Sequence, residues 1–507
     1  MLSSVLAFSQ VEERKLDELI QNTIKTFDVP GMSVGIVKDG KTVYAKGFGV
    51  NSLATNQKMD QNTLVGIASN SKGFTGTALA MLADEGKLNF DDKVTKYIPD
   101  FQMYDPYVSK EVTIKDLITH RAGLGLGQGD LMFFPEGGSL SVNDIIHNVR
   151  YLKPENPFRT TLDYNNIMFI VAGEVIHRVS GLSWAEFIEQ RILKPVGMNS
   201  SFGSYNRAKT AKVTNIIDAH APVDGKAIRV PHDWNETANA AGGIVSNITD
   251  MSIWAEFLMN GFTTKDGKKL VSDRQIQQLW NLQIPTPVAL KNSYDSNFNG
   301  YGLGWFLTDV KGHKQVYHTG GLIGTVTQFT LIPDMKLGII VLTNQQSGAA
   351  FTTITNTVKD SYLGVADRNW LKTIGDRTAK AEAELTKGKK EIFAQAEAFK
   401  KDKNKHAKAE QFVGTYHDAW FGDVLVTQEG KIFRIVCKTS PRLKGELLPY
   451  SHNTFIAKWD DRSYDADAFV IFNYDENGKA QSAKMKPISD ITDFSFDFED
   501  LDLQRKE

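Results

Sequence analysis

A serine and a lysine three residues apart, Ser69 and Lys72, are the residues of this sequence best placed to do chemistry. The run Gly66-Ile-Ala-Ser69-Asn-Ser71-Lys72-Gly-Phe-Thr reads as a strand end turning into a helix. Beyond it Phe74, Ala78, Leu79 and Leu82 recur at helical spacing and stop near Gly86. Ser69 is therefore expected in the first helical turn, with Lys72 on the same face. A serine hydroxyl is a poor nucleophile until a base takes its proton. An amine one turn away can do so when desolvation lowers its pKa, and the helix N-terminus favours the developing negative charge. No other S-x-x-K occurs in the 507 residues. Alone, these four residues describe an ordinary capped helix at least as well as a catalytic one.

Two later segments change that balance. Tyr164-Asn165-Asn166 precedes a helical apolar run of Ile167, Phe169, Ile170, Val171 and Ile176. His318-Thr319-Gly320-Gly321 opens a segment, Thr325 to Leu331, that alternates like a strand. In this order the three segments resemble the S-x-x-K, Y-x-N and K-T-G motifs of the serine β-lactamase and penicillin-binding-protein superfamily. Their spacing is similar to the branch that holds class C β-lactamases, D-aminopeptidases and related esterases. Leu117-Ile-Thr-His-Arg-Ala-Gly-Leu124, the Ala241-Gly242-Gly243 turn and Tyr301-Gly-Leu-Gly-Trp305 agree with that branch. The resemblance covers roughly residues 10 to 365.

The resemblance implies acyl transfer to serine through an acyl-enzyme. Ser69 attacks a carbonyl, with Lys72 and Tyr164 as the base pair. Which of the two takes the first proton stays open, since a phenol with pKa near 10 serves only beside cations that depress it. Tyr164 then protonates the leaving group and later activates water. Asn166 is implied to orient Lys72 and the substrate amide. The oxyanion hole falls to the N–H groups of Ser69 and Gly321, with Gly320 beside them on the substrate-binding strand. His318 bounds the pocket and hydrogen-bonds the substrate or Tyr164. It stands where β-lactamases and D,D-peptidases usually carry a lysine that binds the substrate carboxylate. An unperturbed histidine is mostly neutral near pH 7. D-aminopeptidases and several esterases of the superfamily resemble this chain in having histidine there.

The expected function is hydrolysis of small amides, short peptides or esters, without a cofactor. A β-lactamase or D,D-carboxypeptidase is the neighbouring alternative. A non-catalytic penicillin- or cell-wall-binding protein is the alternative of another class, and the intact Ser69, Lys72 and Tyr164 set argues against it. Gly31-Met-Ser33-Val-Gly35 matches G-x-S-x-G, a motif that needs a strand before its serine and a helix after it. Here two β-type runs joined at Asp39-Gly40 surround Ser33, so a hairpin is expected instead. The glycine-rich stretch Gly123 to Gly129 fails the G-x-G-x-x-G spacing and reads as a loop. No metal is expected: the ten histidines include no H-E-x-x-H, and one cysteine offers no zinc cluster. His120, His147 and His177 read as packing or surface residues.

The elements that must position these groups follow from the pattern. An amphipathic helix is expected over 11 to 27, strands near 32 to 38 and 42 to 48, and then the Ser69 helix. Residues 90 to 300 read as mostly helix and loop. Strands return at 315 to 332 and 337 to 343, before a helix over 350 to 363. First and last strands would share one antiparallel sheet flanked by helices, beside an all-helical subdomain: an α/β fold. Residues 376 to 410 are rich in Lys, Ala and Glu, which favours a solvated helix. From Phe412 onward short β runs follow, and Phe494, Phe496 and Phe498 alternate with polar residues as on a half-buried strand. This resembles the small lipocalin-like barrel appended to some D-aminopeptidase-type members, and closure removes exposed edges. The expected organisation is an N-terminal extension or signal remnant over 1–10, the hydrolase domain over 11–365, a helical linker over 366–411 and the barrel over 412–507. The barrel carries no recognised catalytic residue, but the linker is long enough for it to fold back over a cleft of its own chain or a neighbour's.

Composition bounds the partners. A net charge of −2, 41% apolar and 23% charged residues describe a globular protein with no basic patch for nucleic acid. No stretch approaches the ~20 apolar residues of a membrane span. The expected partner is a small-molecule or short-peptide substrate, with a homo-oligomer left open. Leu2 to Phe8 is apolar and Ala7-Phe8-Ser9 is like a cleavage site, which favours a periplasmic or secreted protein, although no basic n-region precedes it.

Overall fold

The computed structural model describes residues 12–231, 236–365, 368–401 and 408–506. The extension or signal remnant expected over 1–10 lies outside the described residues, as do 366–367 and 402–407 within the expected linker. The chain forms two compact units. The first holds the described residues within Met1–Asp92, Ala172–His232 and Asn239–Ala379. The second holds those within Lys93–Val171, Asp233–Ala238 and Lys380–Glu507.

An eight-stranded antiparallel sheet organises the first unit. Its order is Lys41–Gly49, Gly31–Lys38, Leu337–Thr343, Thr325–Ile332, His313–Leu322, Phe306–Val310, Asn299–Tyr301 and Ile284–Pro285. The first long strand therefore lies beside the last, with Val34 opposite Val341. Asp39 and Gly40 both take positive φ, 54° and 74°, the geometry of the tight hairpin their pairing demands. Ser33 is a buried strand residue opposite Leu342, so the G-x-S-x-G match is no nucleophile elbow. One sheet face packs Val34, Ile36, Ile339 and Val341 against the helices Glu13–Thr26 and Gly348–Leu363, through Leu16, Ile20, Ile354 and Val358. On the other face Gly35 and Gly338 admit the helix Ile248–Met259. A methyl group on Gly35 would lie 2.7 Å from Ser252 Oγ, and one on Gly338 would lie 3.2 Å from Ala255 Cβ.

The second unit joins short helices and loops of Lys93–Val171 to a closed barrel of eight antiparallel strands between Gly414 and Arg505. Phe412, Tyr416, Phe455 and Phe472 form one ring cluster, with centroids 4.6–5.5 Å apart, and are buried. The helix Trp370–Lys401 begins in the first unit. From its later turns Ile392, Phe393 and Ala396 pack on Leu448, Ile456 and Phe469 of the barrel.

One β reading is corrected. Phe494, Phe496 and Phe498 lie outside any strand, in the loop between the strands Ala480–Pro487 and Leu503–Arg505. The alternation is real but has another cause. Phe496 and Phe498 stack at 5.8 Å and are buried, whereas Phe494 is 40% exposed. Local turns hold the backbone in place of a ladder: Ser495 N donates to Asp493 Oδ1 and Phe496 N to the Asp493 carbonyl. No single described helix is long and apolar enough to cross a membrane.

Candidate active site

Ser69 lies in a one-turn 3₁₀ helix, Ala68–Asn70, that runs directly into the α-helix Ser71–Asp84. The tighter turn replaces the expected first α turn and still leaves Lys72 within reach of Ser69. Lys72 Nζ is 3.0 Å from Ser69 Oγ and donates to the Ala241 carbonyl at 2.9 Å, and the side chain is fully buried. Ala68, just before the serine, has φ +49°, a left-handed conformation that costs a residue with a Cβ about 1–2 kcal/mol. Its neighbours hold it there. The Ile67 carbonyl accepts from Asn70 N, Asn70 Nδ2 and Thr327 Oγ1.

Two segments noted in the sequence only as signatures turn out to clamp this helix. The Ala241-Gly242-Gly243 segment, expected as a turn, instead closes the short helix Asn239–Gly242; it supplies the Lys72 acceptor and is fixed by Thr75 Oγ1 donating to the Ala240 carbonyl and Ile244 N donating to Ser71 Oγ. Tyr301-Gly-Leu-Gly-Trp305 lies against the opposite flank. A methyl group on Gly73 would fall 2.2 Å from the Trp305 ring, and one on Gly76 2.5 Å from the Leu303 carbonyl. The two glycines are thus what lets the segment approach. Glycine at such positions costs helix propensity of about 1 kcal/mol, which close packing offsets.

The third motif lies on the strand His313–Leu322. The neighbouring strand Phe306–Val310 pairs only as far as Tyr317, so the His318–Leu322 end runs past the Ala68–Asn70 turn. Gly320 makes that approach possible: a methyl group there would meet the Ile67 carbonyl oxygen at 2.3 Å. Around Gly321, by contrast, a methyl group would find open space. His318 is buried. Its Nε2 pairs with Tyr301 Oη at 2.9 Å, and its Nδ1 lies 2.6 Å from the Thr319 carbonyl. A carbonyl only accepts, so Nδ1 carries the proton and Tyr301 donates to Nε2. Burial first, and then the Lys72 charge, push the His318 pKa down to about 3. His318 is therefore neutral at working pH, as its contrast with lysine implied, and for a stronger reason than its unperturbed pKa.

Tyr164 and Asn166 belong to the second unit. Tyr164 precedes the helix Ile167–Ser180, and its carbonyl accepts from Gly127 N at 2.8 Å. His120, from the Leu117–Leu124 segment, is buried, as its packing reading implied, but what it packs on is Tyr164, with ring centroids 4.2 Å apart. Its Nδ1 accepts from Asn165 N at 3.0 Å, which places its proton on Nε2. Asn165 ties the motif down by donating to the Gln128 carbonyl and accepting from Met168 N. Asn166 Nδ2 donates to Asp130 Oδ2 at 2.7 Å. Sequence reasoning missed Asp130, because a lone Asp in a glycine-rich loop carries no motif. Among the described residues no group of three or more His, Cys, Asp or Glu side chains could hold a metal ion.

A serine hydroxyl beside a buried lysine amine, at the start of a helix next to an antiparallel sheet, is the arrangement of a serine hydrolase. The β-lactamase family model matches residues 16–363, and a domain of unknown function (DUF3471) matches 398–505. The chain belongs to the β-lactamase family. It is 28% identical over 360 residues to the unguisins hydrolase ungD′ of Aspergillus campestris, matching 69% of this chain and 65% of that one. It is 28% identical over 343 residues to the protein flp of Staphylococcus aureus, covering 66% and 64% of the two chains. The chain thus spans just under two thirds of the length of these curated relatives. The solved structure of the octameric penicillin-binding protein homologue from Pyrococcus abyssi shares the fold. It has TM-score 0.61 and 22% identity, with 97% of this chain and all of that one covered.

Proposed function

We propose that the protein hydrolyses small amide, peptide or ester substrates through an acyl-enzyme on Ser69, in the manner of D-aminopeptidase-like or esterase-like hydrolases. The observation that carries this reading is the 3.0 Å approach of a fully buried Lys72 amine to Ser69 Oγ. Once Lys72 has given up the proton that makes it a cation beside His318, its amine keeps one N–H on the Ala241 carbonyl and turns its lone pair to the serine proton. Ser69 Oγ then forms the bond to the carbonyl carbon, and the Ser69 and Gly321 N–H groups receive the oxyanion. Tyr164 is assigned the proton for the leaving group and, later, the activation of water, from its place in the motif order. Asn166 is assigned to the lysine and the substrate amide.

A neutral His318 in place of a lysine removes a charge-assisted contact to a substrate carboxylate, worth about 1.5–3 kcal/mol. Poor activity on penicillins and D-Ala-D-Ala peptides follows, relative to short esters and aminoacyl amides. A relative named for hydrolysing unguisins is in keeping with a hydrolase of this kind. A homo-oligomer belongs to the same proposal, after the octameric state of the Pyrococcus abyssi homologue, with mass in solution as its check. The test of function is a panel of D- and L-aminoacyl anilides, short p-nitrophenyl esters, nitrocefin and benzylpenicillin. Turnover confined to anilides or esters supports the reading. High turnover of benzylpenicillin overturns it in favour of a β-lactamase, and labelling without turnover of any substrate would mean a binding protein.

A further inference from the structure

Asn166 takes its orientation from a chain of hydrogen bonds that starts in the barrel loop. Asn166 Nδ2 donates to Asp130 Oδ2 at 2.7 Å, and Ser495 Oγ donates to the same oxygen at 2.8 Å. Asn166, Asp130 and Ser495 are all buried. Two residues on, the Asp497 carboxyl accepts from Gly129 N at 2.5 Å and Leu131 N at 3.2 Å, the backbone on either side of Asp130. Gln128 Nε2 reaches Asp500 Oδ1 at 3.2 Å, and Phe134 meets the Phe496 ring edge at 5.0 Å. One residue before Ser495, Phe494 sets its ring edge-on to Tyr164 at 5.8 Å. It also lies over Gly127, where a methyl group would come within 2.6 Å of it. The loop 494–500 is thus built around the segment that carries Asp130, touches Tyr164 through Phe494 and reaches Asn166 through Asp130.

We propose that Asp130 and Ser495 are positioning residues for the hydrolytic reaction: the barrel loop, acting through Asp130, fixes the side-chain amide of Asn166. An asparagine amide presents a donor at one end and an acceptor at the other, and a half-turn exchanges them. A carboxylate oxygen only accepts, so it holds the NH₂ end and leaves the carbonyl end facing away from Asp130. Ser495 holds the carboxylate in turn. A hydroxyl donating to Oδ2 fixes which oxygen faces Asn166, and the two amides on Asp497 pin the loop that offers the hydroxyl. The barrel therefore contributes to turnover through the position of the Asn166 amide.

This inference rests on the proposed hydrolysis at Ser69, and the test keeps the two apart. The full-length chain is made as Ser495→Ala, Ser495→Thr, Asn166→Ala and the double variant Ser495→Ala with Asn166→Ala. Each is measured for fluorophosphonate labelling of Ser69, for kcat and KM on a short p-nitrophenyl ester, and for Tm. Ser495→Ala is expected to lower kcat about ten- to a hundred-fold with KM within about two-fold, the size of one charge-assisted hydrogen bond. Ser495→Thr, which keeps a hydroxyl, restores most of the rate. In the Asn166→Ala background the Ser495→Ala loss disappears, because the residue it acts through is gone. A loss of the same size in both backgrounds, or coupling in Tm with no coupling in kcat, overturns the positioning role. Absence of any Ser69 label on the unmodified protein sinks the hydrolase reading instead. In that case additive Tm changes would refute the hydrogen-bond chain as well.

Discussion

Acidification tests whether His318 is held neutral by burial or titrates as an ordinary histidine. The gap between the ordinary value of 6.5 and about 3 in the fold, at about 1.4 kcal/mol per pH unit, makes the preference for the neutral ring roughly 4–5 kcal/mol. The sign follows from linkage. The folded pKa is depressed, so the unfolded chain binds the proton first, and the stability contributed is complete above pH 6.5 and lost as pH falls towards 3. Integrating between these values, the loss is on the order of 1 kcal/mol at pH 5.5 and on the order of 3 kcal/mol at pH 4.5. Asp500 acts in the opposite sense. Burial and the Glu155 charge raise it to about 6, so its protonation in acid favours the fold. A comparison with His318→Gln isolates the histidine. Guanidinium unfolding at pH 7.5, 5.5 and 4.5 is expected to show the unmodified protein losing on the order of 3 kcal/mol more than the variant over the range. Histidine labelled at Cε1 supplies the direct reading, with the resonance missing from His318→Gln flat from pH 8 to 4.5. A titration midpoint near 6.5, or a constant stability gap, would refute the argument and with it the account of selectivity against carboxylate substrates.

Other expectations concern the packing that holds the serine and lysine. Gly73→Ala sets a methyl group against the rigid Trp305 indole and should cost about 1–3 kcal/mol, read as a lowered Tm and a slower Ser69 label. Gly320→Ala meets the Ile67 carbonyl rather than a flexible side chain, so the turn carrying Ser69 must move and ester turnover should fall at least about ten-fold. Gly321→Ala has open space and should leave stability within about 0.5 kcal/mol of the unmodified protein. Equal Tm losses at Gly320 and Gly321 would contradict the geometry of that strand end.

Local signals in the sequence carried further than distant ones. Asp39-Gly40 named its hairpin because few residue pairs accept two positive φ angles, and Ser33 was legible as a strand residue from the β runs around it. The Ser69–Lys72 pairing was legible because three residues of helix bring the two together whatever surrounds them. The Ala241 carbonyl was not, since a backbone acceptor 169 residues away has no residue type to betray it. Asp130 escaped for a related reason: its meaning comes from Asn166 and Ser495, which only the folded chain brings to it. The Phe494–Phe498 alternation misled because period two marks one buried face of a strand, and a loop packed on one side can reproduce it.

In the proposed reaction Ser69 is the nucleophile, activated by Lys72. The most direct measurement of this assignment is peptide-level mass spectrometry of the protein after fluorophosphonate treatment, with Ser69→Ala and Lys72→Met alongside. One adduct is expected, on Ser69. It should be absent from Ser69→Ala and at least about a hundred-fold slower to form in Lys72→Met, with the Tm of Ser69→Ala unchanged. An adduct on Ser71 or Ser33, or labelling of Ser69 at an undiminished rate without Lys72, would contradict it.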